Sequence, residues 1–164
     1  MDFPALTKPT APWCHLFVGS AADLYDIATA LDRSGKGVIA RIVRGKKAAT
    51  TAALHEEFAA ALQFPPHYGE NWDALRDCLL DLGWLGATQL TVAVVDADQF
   101  LDRAPAKQWA HFATVVSEAL RYWNEAAGVR QATPFHWVMQ TDAKSAEALA
   151  TRWREAGLTL ARLK

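Results

Sequence analysis

PPHYGENWDALRDCLLDL, residues 65–82, combines a helix stop, a turn, a fresh helix start and a charge pattern that core packing does not require. Pro65 and Pro66 end the apolar helix pattern before them: neither has a backbone N–H, and Pro66 pushes Pro65 out of the helical region. Gly69 is available for the turn that follows. From about Asn71 the period becomes helical. At about 100° per residue Trp72, Leu75, Leu79 and Leu82 share one side, with Cys78 at its margin. Glu70, Asp73, Asp77 and Asp81 share the other, with only the small Ala74 among them.

Like charges three and four residues apart repel by a few tenths of a kcal/mol per pair, and the helix dipole favours acids only near the N-terminus. At positions 77 and 81 stability alone would select Lys or Arg. Two readings stand: a solvated acidic face, which is common on helix surfaces, and an anionic surface presented to a cationic partner. A third, carboxylates serving as acid–base groups or hard-metal ligands, lacks a nucleophile, a base or a dry cleft on an exposed helix.

The run YGENWDALRDCL, Tyr68 to Leu79, resembles the signature of the barstar-like family, intracellular inhibitors of barnase-type secreted ribonucleases. The likeness takes in the preceding LHEEFAAALQFPP and, more loosely, the strand patterns on either side. It implies an inhibitor, without turnover or cofactor, whose second helix and leading loop plug the active site of a basic ribonuclease. By matching position, Asp73 and Asp77 would lie in the basic site that holds RNA phosphates, and Asn71, Trp72 and Ala74 would belong to the same contacting surface. Glu70 belongs to the acidic stripe, Tyr68 would supply shape and apolar contact, and Gly69 would admit a close backbone approach. Two positions depart from the family: His67 replaces a tyrosine and Arg76 a tryptophan. Arg76 stands at the edge of the acidic stripe, placed to pair with Asp73 or the Glu70 side, to restrain Asp77, or to meet the target. Trp84 answers to a family tryptophan just past this helix, at a longer spacing. A family glutamate on the last core helix corresponds to Glu118 or Glu125.

Outward from this stretch, residues 54–82 carry Glu56, Glu57, Glu70, Asp73, Asp77 and Asp81 against Arg76 alone, while residues 33–47 carry Arg33, Lys36, Arg41, Arg44, Lys46 and Lys47 and no acid. With a formal net charge of only −1, the molecule reads as electrically polarised, an arrangement that steers a basic partner. The basic run reads as solvated side chains of a strand and turn, with partner or nucleic-acid binding as the alternative. Glu57 reads as a peripheral surface charge, and no direct nucleic-acid partner is expected.

The 164 residues, 51% hydrophobic, suit one domain. Cys14 and Cys78 show no CxxC or zinc spacing, and the five histidines no metal spacing; a reducing, cytoplasmic setting is the expectation. No apolar run approaches a membrane span, and MDFPALTKPTAP, with an acid and three prolines, is unlike a signal peptide. It reads as a flexible arm over residues 1–12.

Strands are expected at 13–18, 38–43, 90–95, 135–140 and 158–163. Helices are expected at 21–31 with Ser20 as N-cap, at 52–62 with Thr50 or Thr51 as cap, from Phe112 toward Gly128, and at 145–156. The nearly continuous apolar run Leu90 to Val95 marks a central strand. Asp96 and Asp98 after it read as turn residues before catalytic ones, and Ser34-Gly35-Lys36-Gly37 lacks the rest of a phosphate loop. The expected class is α/β, a barstar-like layered fold with a small, largely parallel sheet packed by helices and extended by strand–helix elements at both ends. Residues 13–164 form its single domain, with a family-like core over about 37–140.

Overall fold

In the computed structural model, which describes residues 3–163, β1 (Cys14–Val18), β2 (Val38–Arg44), β3 (Gln89–Val95), β4 (Phe135–Thr141) and β5 (Ala161–Arg162) form one sheet in the order β2-β3-β4-β1-β5. Every pairing is parallel. β4 is the middle strand and is buried along its whole length; β3 lies beside it, and β2 and β5 are the edges. A run such as LTVAVV has no polar alternation because helices cover both faces of the sheet.

One face carries α1 (Ala21–Asp32), whose Leu24, Ile27 and Leu31 meet Ala93, Val95 and Val138. The other carries α2 (Thr51–Leu62), α3 (Trp72–Asp81), α4 (Ala106–Asn124) and α5 (Ala146–Glu155), packed on Val43, Val92, Val94, Phe135, Trp137 and Met139. Period-two alternation along β3 and β4 divides these two cores. β2, β3 and β4 with α2, α3 and α4 make a unit spanning residues 38–141, and β1, α1, α5 and β5 add their strands on the β4 side.

The caps follow local chemistry. Ser20 and Asp23 form a reciprocal capping box on α1, and the Thr50 hydroxyl accepts the Ala53 N–H at the start of α2. α4 begins six residues before Phe112, just after Pro105, and ends at Asn124 rather than running to Gly128. There Asn124 exchanges two hydrogen bonds with the Phe135 backbone, closing the helix onto β4. The final strand is shorter than its alternating pattern, since only Ala161 and Arg162 pair with β1.

Of the stretch expected as a flexible arm, residues 1–12, the part over residues 3–8 packs against the rest of the molecule. Phe3 and Leu6 are buried in the α1-side core, around a 3-10 turn at Pro4–Leu6. The Lys8 carbonyl accepts from His136 Nε2. Apolar side chains within an otherwise polar, proline-rich stretch anchor it against the sheet. Met1 and Asp2 lie outside the described residues.

Asp96 and Asp98 hold the end of β3, as turn residues do. Asp96 adopts φ 51° and pairs with Lys46 at 3.5 Å, and Asp98 accepts from the Thr141 hydroxyl at 3.2 Å. Among the described residues no helix is long and apolar enough to cross a membrane.

Candidate functional site

α2 ends on Gln63 in the left-handed conformation, and Phe64 turns back into the core. The prolines then form a turn closed by the Tyr68 N–H on the Pro65 carbonyl at 3.0 Å, leaving His67 exposed at its tip. The Tyr68 ring packs edge-on against Phe64 at 4.7 Å, and its hydroxyl lies 2.5 Å from His55 Nδ1 on α2. Burial pushes the Tyr68 hydroxyl above its ordinary pKa and the His55 imidazole below its own, so both are neutral partners. The expected apolar contact residue is therefore also the loop's anchor.

In the turn for which Gly69 is available, the left-handed residue is Glu70, φ 51°. Gly69 has a different requirement: a Cβ there would sit 3.1 Å from Asn71 Nδ2, the group that donates to the Gly69 carbonyl. Asn71 is the N-cap of α3, its Oδ1 accepting the Ala74 N–H at 2.8 Å. The loop and helix start thus share one amide side chain.

Leu75 and Leu79 are fully buried and Leu82 nearly so, a gain of about 1.5–3 kcal/mol per side chain that fixes which face of α3 turns outward. Outward go Asp73, Asp77 and Asp81, all exposed, with Ala74 half-buried among them and exposed Glu70 at the entry. Asp73 has no hydrogen-bond or ion-pair partner among the described residues. Trp72, expected on the contacting surface, is half-buried: its indole N–H donates to Gln108 on α4 at 2.6 Å and its ring lies 5.2 Å from His55. Trp84 is 40% exposed and donates to the Leu62 carbonyl at 2.9 Å, standing edge-on to Phe64.

Of the partners expected for Arg76 on this stretch, Asp77 is met and Asp73 and Glu70 are not, and the closest contact is with α4. The Arg76 Nε and Nη2 fork onto both oxygens of Glu118 on α4 at 2.7 and 3.1 Å, while Nη1 lies 3.4 Å from Asp77. This geometry places Glu118 beside α3, while Glu125 caps the far end of α4. The pairing lowers the Glu118 pKa and raises that of Arg76. Between α3 and α4 runs an open groove of about 340 Å³ lined by Trp72, Asp73, Arg76, His111, Thr114 and Glu118. His111, Gln108 and Thr114 escape a sequence reading because no local pattern marks them; the packing of α4 alone brings them to α3.

Charge counting overstates the polarity of the molecule. Glu57 is 7% exposed and accepts three hydrogen bonds from Arg44, including one from its backbone N–H, so it is not a peripheral surface charge. Arg41 pairs with Asp32 at 3.6 Å and Lys46 with Asp96. Half of the basic run is thus bound to acids of the same chain. On the outer face of α3, Asp73 and Asp81 are in no ion pair among the described residues, while Asp77 lies 3.4 Å from Arg76.

A comparison with protein families matches residues 39–140 to the family described as Barstar (barnase inhibitor). No curated protein sequence matches the chain. Among solved structures, Cdc6p from Pyrobaculum aerophilum is similar in fold, with TM-score 0.53, 16% identity, and coverage of 91% of this chain and 38% of that one. A chain of the Drosophila ORC bound to GC-rich DNA and Cdc6 aligns with TM-score 0.51 and 13% identity over 98% of this chain and 52% of its own. This chain spans about half or less of those proteins, and at such identities the likeness is one of fold alone. The family match takes in β2 through β4, hence the whole α2–α3–α4 face. The chain belongs to the barstar family.

Proposed function

We propose that this barstar-family protein binds a basic, secreted, barnase-type ribonuclease and covers its active site, by occupancy and without turnover or cofactor. The observation that carries the reading is the pair Asp73 and Asp77, exposed one turn apart on α3 beside the YGEN loop, inside the family match. Two carboxylates at that spacing can take the place of successive phosphates in a site built for RNA, forming charge-assisted bonds, best with arginine. His67, Tyr68, Gly69, Asn71, Trp72 and Trp84 supply the surrounding shape, and α4 contributes the groove wall. A cytoplasmic station, where such a protein would guard the producing cell, belongs to the same reading.

The test is inhibition of a barnase-type ribonuclease at stoichiometric concentration, with an Asp73→Ala/Asp77→Ala double variant checked for folding by circular dichroism. Inhibition by the parent and its loss in the variant supports the function and its site; equal inhibition by both removes α3 from the interface. A second reading, the same face turned to a different basic protein, is favoured by the Arg76–Glu118 pair, which lowers the net negative charge of the surface. Parent and double variant used as paired baits would identify that partner by its loss with the variant.

A further inference from the structure

The fork of Arg76 on Glu118 is not needed to hold α3 against α4. The Trp123 indole already donates to the Leu79 carbonyl at 2.7 Å and Trp72 to Gln108 at 2.6 Å, bridging the same helices at both ends of α3. Beneath them Leu75 and Leu79 pack in one core with Val115 and Val116. What Arg76 alters is the surface. Without it, Asp73, Asp77 and Glu118 would offer three carboxylates around the groove. With it, a guanidinium stands among them, its side chain 42% exposed, two nitrogens on Glu118 and the third beside Asp77. In water this charge is screened. In an interface that excludes water it must face a group of the partner, and a cation there is repelled while a carboxylate or phosphate is bound.

We infer that Arg76 is a specificity-determining residue of this face: it disfavours a partner whose contact patch is cationic throughout and favours one that sets an anionic group among its cations. The inference deepens the inhibitor reading above and rests on it. Arg76 here selects the partner by a repulsive element, while Asp73 and Asp77 supply the attraction.

The test measures inhibition of barnase by the parent chain, Arg76→Met, Glu118→Gln, Asp73→Asn/Asp77→Asn, and Arg154→Met, the last removing one positive charge from α5, which does not line the α3–α4 groove. Thermal unfolding of each variant confirms the fold. Arg76→Met is expected to tighten inhibition about tenfold or more, Glu118→Gln to weaken it by releasing the guanidinium, and Arg154→Met to leave it within about twofold. Opposite signs for Arg76→Met and Glu118→Gln are the signature, because both variants break the same ion pair and a mere brace would make both weaken binding. Weakening by both overturns the inference, as does no change in Arg76→Met. If Asp73→Asn/Asp77→Asn loses inhibition while Arg76→Met changes nothing, this inference falls and the inhibitor reading stands. If no variant, Arg76→Met included, inhibits barnase, both fall.

Discussion

The Tyr68 hydroxyl and His55 Nδ1 meet at 2.5 Å, joining the loop that leads into α3 to the buried face of α2. Tyr68 is thus fixed at three points: by its hydroxyl on His55, its ring on Phe64 and its N–H on Pro65. A loop held in this way presents His67 and Gly69 with little ordering left to do on binding.

Tyr68→Phe keeps the ring packing and leaves His55 without its partner. Stability should fall by about 1–3 kcal/mol, the cost of a buried polar group left unpaired. Urea denaturation with an unchanged m-value would show this, and an unaltered midpoint would show that the bond contributes nothing.

Asn71 caps α3 through the Ala74 N–H and braces Gly69 through its amide. Replacement by alanine should cost about 1 kcal/mol of stability and weaken ribonuclease inhibition by more than that loss of folded protein explains. Asn71→Asp retains the cap acceptor but not the donor to Gly69, so it should recover the stability and only part of the affinity.

Three acids that look alike in the sequence should behave differently. Asp77→Ala should speed dissociation strongly with little change in stability, an expectation that follows from family membership and from its exposed position on α3. Asp81→Ala, at the edge of the face, should mainly slow association, and less so in high salt. Glu57→Ala should leave association nearly unchanged and instead destabilise the fold by about 1–3 kcal/mol, since the Arg44 N–H loses its acceptor. Stopped-flow binding with parallel denaturation curves separates the three.

His136 donates through Nε2 to the Lys8 carbonyl, so its Nδ1 must accept from His15 Nε2, 3.1 Å away; this bond requires a neutral His136 ring, and burial disfavours charge on His15. Burial, reinforced by His136, lowers the His15 pKa to about 4, and burial lowers that of His136. Below the ordinary histidine pKa the unfolded chain binds protons that the folded chain does not. Stability is therefore complete above about pH 6.5 and declines as pH falls toward about 4. The loss between pH 7 and 5 is of order 1 kcal/mol, roughly 2–4 °C in melting temperature. His15→Gln should flatten that decline, and a parallel decline in parent and variant would show that other groups cause it.

Much of the fold was legible because its signals are local. The double proline, the helical period from about Asn71 and the three-and-four spacing of Leu75, Leu79 and the acids lie within a few residues of one another, and they set where α3 starts and which side of it is buried. The apolar run of β3 announced a strand covered on both faces, and the YGEN motif led to the family now matched over residues 39–140. The outward aspartates were readable for the same reason: burying the leucines leaves them no other direction.

Tertiary structure alone decided which charges are free. Arg76 is 42 residues from Glu118 in the chain, and Arg44 is 13 from Glu57, separations at which periodicity carries no information about contact. Only the stacking of α3 on α4, and of α2 on β2, turns one acid into a bridge and another into a buried acceptor. The anchoring of residues 3–8 likewise depended on a cleft that exists once α1 and the sheet have formed. Caps and amphipathic stripes are written in consecutive residues because their physics acts over one helical turn. Ion pairs and buried polar partners depend on the packing of distant segments, which the pattern of hydrophobic residues drives without naming the polar groups it will bring together.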